Sequence, residues 1–198
     1  MKIITNRLWQ VFLLVCCFVI STEIQAQDKI EKEESIRERE VPHIATEWLY
    51  DAFEKIRKPK WYKEFSEVGY SFEAKFRYKN SFHSVEFDSL GLVQDVEIEI
   101  ELKSLSTEIQ SQILTYLNEN YRDFKVNKLQ IQYSGASDDL EDFFDEDAKD
   151  GILINFEMEF SGTDLSGDSR IWEGTFDQNG CFLGKRIVIV REMDNIIF

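Results

Sequence analysis

The chain is poor in the residues on which most catalytic and metal centres are built. It has two histidines, three cysteines and two prolines in 198 residues. Structural zinc needs three or four ligands drawn from His, Cys and carboxylate. His43 and His83 stand far apart, and no HExxH or CxxC spacing occurs. No GxSxG elbow and no phosphate-cradling glycine loop is present. A Cys181–His dyad is conceivable, but Cys181 follows a turn glycine and precedes Phe182, the place of a residue entering a strand. These shortages argue against an enzyme and imply no cofactor.

Positive charge is also scarce. Lys and Arg number 23 against 38 Asp and Glu, a formal charge of −15. That sign repels phosphate backbones and anionic bilayers, so nucleic acid is excluded as a partner and an anionic membrane surface is disfavoured. It suits solubility, a basic partner patch or cations.

Long apolar runs are missing too, with one exception at the start. Lys2 and Arg7 precede the apolar stretch Leu8–Ile20, and a polar segment then ends at small Ala26. This is the layout of a secretory signal peptide cleaved after Ala26. The run falls short of the roughly 20 residues that span a bilayer, so no stable membrane insertion is expected once the signal is cleaved. Acylation of Cys16 or Cys17 is a rival reading. Leu13-Leu14-Val15 stands before Cys16, where a small residue would be expected. Cleavage removes two bases (Lys2, Arg7), one acid (Glu23) and two cysteines, leaving Cys181 alone. No intrachain disulfide can then form, and stability must come from an apolar core. The expected location is periplasmic or secreted.

Residues 27–41 are almost wholly charged and read as a linker or frayed helix. Ile44, Trp48, Leu49, Ala52, Phe53 and Ile56 then recur at helical spacing, bounded by Pro42 and Pro59. The period next switches to two. Phe72, Ala74, Phe76 and Tyr78 alternate with Glu73, Lys75, Arg77 and Lys79. Val85 and Phe87 follow, then Val96, Ile98, Ile100 and Leu102 between Asp95, Glu97, Glu99 and Glu101. Each run predicts a strand with one buried and one wet face. Ser104 and Ser106 offer caps for a second helix through Ile109, Ile113, Leu114, Leu117 and Tyr121. Strands are predicted again at 126–133, 152–160, 170–176 and 182–190. The fold class is therefore α+β, as two repeats of an amphipathic helix plus an antiparallel β-meander. The first repeat spans 42–103 and the second 104–198, with an acidic insertion at 136–151.

Letters repeat as well as pattern. Phe72-Glu73-Ala74-Lys75-Phe76 matches Phe156-Glu157-Met158-Glu159-Phe160, and Phe87-Asp88-Ser89-Leu90-Gly91 matches Phe176-Asp177-Gln178-Asn179-Gly180. The Phe-Asp-x-x-Gly segments read first as turns, with Gly at positive φ and Asp bonding the turn backbone. Their functional reading is a pair of carboxylates, Asp88 and Asp177, facing one cleft. At these residues the chain resembles the PepSY-like family, the β-lactamase-inhibitor-like exported proteins of Bacteroidetes, over residues 42–193. The resemblance implies binding or inhibition of an exported or envelope protein and supplies no catalytic residues. A long Gly-rich turn at 161–169 and the acidic insertion depart from it.

Three further features are candidates for function. Eight acids between Asp138 and Asp150 could hold Ca²⁺, although the spacing lacks an EF-hand's glycine; a solvated insertion or a basic-partner contact are the other readings. Phe143 and Phe144 inside it either anchor the segment or face a partner. Trp61 and Tyr62, among Lys58, Lys60 and Lys63, suit an interface or a packed corner between helix and strand. The acidic comb Asp95–Glu101 and the basic comb Lys75–Lys79 read as cross-strand pairs on a wet face, or as a binding surface. A structural or stress-related envelope protein, and a weak Ca²⁺ binder, stand as alternatives to the binding module.

Overall fold

The computed structural model describes residues 29–66 and 69–190; the side chains of residues 29–32 and of Val190 lie outside the description. The expected signal peptide, the rival acylation sites and residues 191–198 fall outside it too. Among the described residues no helix is long and apolar enough to cross a membrane.

Among the described residues nine strands follow one another in space as in sequence: β1 (Lys29–Ile36), β2 (Lys60–Ser66), β3 (Gly69–Tyr78), β4 (Ser81–Phe87), β5 (Val93–Glu99), β6 (Tyr121–Ser134), β7 (Leu153–Asp164), β8 (Ser169–Asp177) and β9 (Phe182–Val190). Each pairs antiparallel with the next, and β1 also lies parallel to β9 through Lys29↔Val188 to Glu31↔Val190, so the sheet closes on itself. Three helices pack on it: α1 (His43–Ala52), α2 (Thr107–Asn120) and α3 (Ser137–Glu146). The α+β class is as expected.

Several segments differ from the sequence reading. The charged 27–41 stretch is not a linker throughout, because Lys29–Ile36 forms a strand. Its side chains find partners there: Ile36 registers with Trp61, and Glu33 reaches Lys75. The acidic insertion is a helix rather than a loop. Leu140 is fully buried on its inner face and the acids occupy the outer one. The Gly-rich stretch at 161–169 shrinks to a tight turn, since β7 runs on to Asp164.

All three helices cover one face of the sheet. Phe72, Ala74, Phe76, Val85, Phe87 and Val96 point to that face beneath Trp48, Leu49, Ala52 and Phe53 of the α1 region. Phe156, Met158, Phe160, Trp172 and Phe176 do the same beneath Ile113 and Leu117 of α2. Ser106 caps α2 by accepting from the Ile109 N–H at 3.3 Å. The α1 helix ends at Ala52, earlier than Pro59 would require, because Phe53 turns inward against Phe76 and Tyr78. Although α3 comes late in the chain, it covers the earlier core. The Trp48 Nε1–H donates to the Ser137 carbonyl at 3.1 Å, and Phe144 packs on Phe53. A ten-residue α1 leaves room on β2–β5 that α3 fills, whereas the fourteen-residue α2 covers its strands alone.

Three Asp-x-x-Gly turns share one geometry. Asp88 accepts the N–H groups of Leu90 and Leu92 at 2.8 and 2.9 Å, and Asp177 those of Asn179 and Cys181, both at 2.8 Å. Asp164 does the same for Ser166, Gly167 and Asp168. The first and last turns also abut a helix start. Gly91 (φ 89°) leaves 2.7 Å between a would-be Cβ and both Ile44 and Pro42, and Gly180 (φ 82°) leaves 2.8 Å to the Ile109 carbonyl. We expect Gly91→Ala and Gly180→Ala each to lower the unfolding free energy by about 1–3 kcal/mol. Gly184→Ala, with open space around it, should change it little. Urea unfolding of the three variants checks this.

Candidate functional site

The face turned away from the helices is where charge gathers. Along β3, Ser71, Glu73, Lys75 and Arg77 point to it; along β4, Phe82, Ser84 and Glu86; along β5, Asp95, Glu97 and Glu99. The phase follows from cross-strand pairs such as Ser84↔Glu97 and Glu86↔Asp95. Gln130 and Gln132 of β6, Glu157 of β7, Glu173 of β8 and Arg186 of β9 continue the row. This face differs from the wet surface that the alternation suggests. Glu73, Ser84, Glu97, Gln130, Glu157 and Glu173 are all buried, because the sheet curls around them.

Two ionic networks hold the face together. In the first, the Lys75 ammonium lies 2.7 Å from Glu33 and 2.8 Å from Glu73, and the Ser84 hydroxyl donates to Glu73. Burial pushes the Glu73 carboxyl up, but hydrogen bonding with Glu64 and the Lys75 charge outweigh it and hold Glu73 below its usual range. Burial likewise pushes Lys75 down, and its two carboxylates more than reverse that. In the second, the Arg186 guanidinium bridges Glu173 and Glu157, the latter at 3.0 Å, while Gln132 donates to Asp95 at 3.0 Å and to Glu157 at 3.2 Å. Between the networks stands Glu97. Burial, then the neighbouring Asp95 and Glu86 charges, push its carboxyl up to about 7.

Glu33, Glu64 and Glu73 bring one carboxylate oxygen each within 4.8 Å of one another. The donor set is that of a hard cation, but Lys75 already supplies the positive charge between two of the three. A divalent ion would have to displace it.

The residues singled out from sequence do not assemble into one centre. Trp61 is 2% exposed, packs beside Phe87 and donates its Nε1–H to Glu38 at 3.3 Å. That removes it from any free surface: β2 places it opposite Ala74 on the aromatic face. Tyr62, one residue on, points to the polar face, with the Lys75 ammonium 4.9 Å from its ring. Phe143 and Phe144 are half-buried against Tyr133, and Phe144 also against Phe53, so both anchor α3. The eight acids cannot form an EF-hand loop, since most lie on the outer side of α3. Glu141 is pushed up by burial and then by Asp51, Asp138, Asp142 and Asp145. Asp88 and Asp177 are each engaged by the N–H groups of their own turns, which leaves them structural. His83 is boxed by Phe53, Phe76 and Tyr78, and burial lowers its basicity. Cys181 is exposed.

The buried acids of the polar face went unread as a group. Their signal in sequence is the i, i+2 alternation itself, which does not distinguish a wet face from an enclosed one.

No protein-family model matches the chain, and no curated protein matches it. Among solved structures it is similar to a DUF2874 family protein from Bacteroides ovatus, at 10% identity and a TM-score of 0.51, over 74% of this chain and 87% of that one. It is also similar to a BLIP-like protein from Bacteroides fragilis, at 14% identity and a TM-score of 0.49, over 80% and 92% of the two chains. The first likeness shows a shared fold.

Two outcomes are expected from these environments. Trp61→Ala should cost about 3–5 kcal/mol of stability, as emptying a buried indole site does, measured by chemical denaturation. For Glu97, a folded-state value near 7 lies above the ordinary carboxylate value of 4.5. Its contribution is therefore favourable at low pH and is lost as pH rises through about 7. Glu97→Gln should be more thermostable than the parent at pH 8, and the difference should shrink or invert by pH 5. Paired Tm measurements across this range decide it.

Proposed function

We propose that the chain is a non-enzymatic binding module of the PepSY-like, β-lactamase-inhibitor-like kind, working outside the cytoplasm on an exported or envelope protein. One observation carries the reading: the sheet keeps one face wholly for its core and lines the other with charged side chains, many fixed by ion pairs. The enclosed ion pairs stiffen the sheet, and the exposed residues of the same face, among them Arg77, Phe82 and Glu99, are those a partner can reach without ordering a loose scaffold. The acids that looked most like a catalytic pair, Asp88 and Asp177, are occupied as turn-formers.

We also propose that the molecule is a tandem duplication of helix plus meander. Supporting this, Phe72 registers with Phe87 in β3–β4 as Phe156 does with Phe176 in β7–β8. The Asp88 and Asp177 turns each seat on the start of the helix preceding their strands. On this reading α3 is an addition to the second unit that serves the first.

A photo-crosslinking amino acid placed at Glu99, exposed on the polar face, and at Asn118, exposed on α2, tests the binding module in envelope fractions of the source cell. A reproducible protein adduct from position 99 and not from 118 is expected. Identical adduct patterns from the two positions, or none from 99, would sink the reading.

A further inference from the structure

The acidic balance of the chain makes one corner anomalous. Arg57 and Lys58 lead into β2, which Lys60 begins, and Arg77 near the end of β3 and Lys79 just beyond it lie beside them, since Lys60 registers with Lys75. All five are exposed. Among the described residues none of the five lies within 4.0 Å of a carboxylate, in a chain with 38 acids to 23 bases. Nearby Lys55 pairs with Glu54, and Lys75 with Glu33 and Glu73, so partners are in reach of the corner and yet do not fill it. An aromatic side chain stands in the middle. Phe82 is 55% exposed, on the same face as its registered partner Arg77, whose guanidinium lies 4.7 Å from the ring centroid. The backbone is constrained here as well: Lys58, Lys79 and Asn80 all take positive φ, at 52°, 46° and 72°. At Lys79 and Asn80 this is the geometry of the two-residue hairpin turn between β3 and β4, which fixes where Lys79 is presented.

From this corner we infer that the chain binds an extended acidic polypeptide segment with carboxylates on alternate residues, held by Arg77, Lys79 and Lys60 around Phe82. The inference rests on the binding-module reading and names its partner's chemistry. The spacing supports a polypeptide. Lys75 and Arg77 occupy alternate positions of β3, so their side chains recur at about 6.7 Å, and Lys79 follows in the turn that leaves the strand. An extended chain carrying an acid at every second residue has the same repeat. The molecule contains one instance of the contact, in which the extended acidic strand β1 places Glu33 on Lys75, the first base of the comb. The next two bases lack such a carboxylate. An anionic bilayer would present a wide surface to a molecule of net charge −15, and long-range repulsion opposes that approach. A narrow peptide meets only the local corner, within a Debye length of about 8 Å at physiological salt.

The test uses the purified mature chain and a fluorescent ten-residue peptide of alternating Glu and Thr. A peptide of equal composition with its five Glu contiguous is the control. Anisotropy at low ionic strength should show the alternating peptide binding more tightly than the blocked one. The Arg77→Glu/Lys79→Glu double variant should lose about tenfold or more in affinity, from removed attraction plus new repulsion. Phe82→Ala should weaken binding while leaving its salt dependence unchanged. Unaltered thermal unfolding of the variants establishes that these exposed positions did not disturb the fold. Equal affinity for the two peptides, or for parent and double variant, overturns the inference, as does preference for phosphatidylglycerol vesicles over the peptide. An adduct at Glu99 that persists undiminished in the double variant also overturns it, while leaving the binding module standing. Absence of any adduct in the parent sinks the module, and the peptide titration still decides the corner.

Discussion

Side chains along a strand point alternately to its two faces, and the strands of this sheet keep one phase of that alternation through their registers. Phe72 faces the helices, so Glu73 cannot; Val96 does, so Glu97 cannot. Because β3, β4, β5, β7 and β8 are aligned on the same phase, aromatic residues form a continuous floor for three helices and acids form a continuous lining opposite. A slip of one residue between any two strands would bring carboxylates under the helices and aromatics into the charged row. Apolar burial on one side therefore sets the location of every charge on the other.

The lining is costly to assemble in an acidic chain. Lys75 and Arg186 each sit between two carboxylates, so one base compensates two acids, and a proton on Glu97 does the work of a third cation near neutrality. Five of the bases left over gather at the end of β3 and the start of β2. Charge on this molecule is thus distributed in two ways: acids are enclosed or ride on the outer side of α3, and exposed unpaired bases cluster at one corner.

Much of the secondary structure is legible in the sequence. The strands with clean alternation of apolar and charged residues, Phe72–Tyr78 and Phe156–Phe160, are read correctly, and Ser106 marks the second helix start. What escapes is set by tertiary context. The strands β1 and β2 carry no clean alternation: Lys29–Ile36 holds only two apolar residues, and Lys60–Ser66 mixes Trp61 and Phe65 with Tyr62 and Lys63. They become strands because neighbours offer hydrogen bonds and counter-charges. The helix α3 is hidden by its acids, although Leu140, Phe143 and Phe144 fall three and four residues apart. Enclosure of the polar face depends on curvature summed over nine strands, which no local window contains. At Trp61 the sequence leaves an interface and a packed corner between helix and strand both open, and the fold takes the packed corner.

The pairing of Lys29 with Val188 joins the beginning of the described chain to its end. Loop closure grows costlier with separation, and contacts between distant residues form late in folding. The first of these strands to be made must therefore wait for the last one before it gains its second neighbour. Until then β2 can pair with it while β9 presents an open edge, and the enclosed acids stand in water, where each ionises without penalty. Closure of the sheet is thus also what withdraws these acids from water, and that withdrawal is the first cause of the raised Glu97 carboxyl.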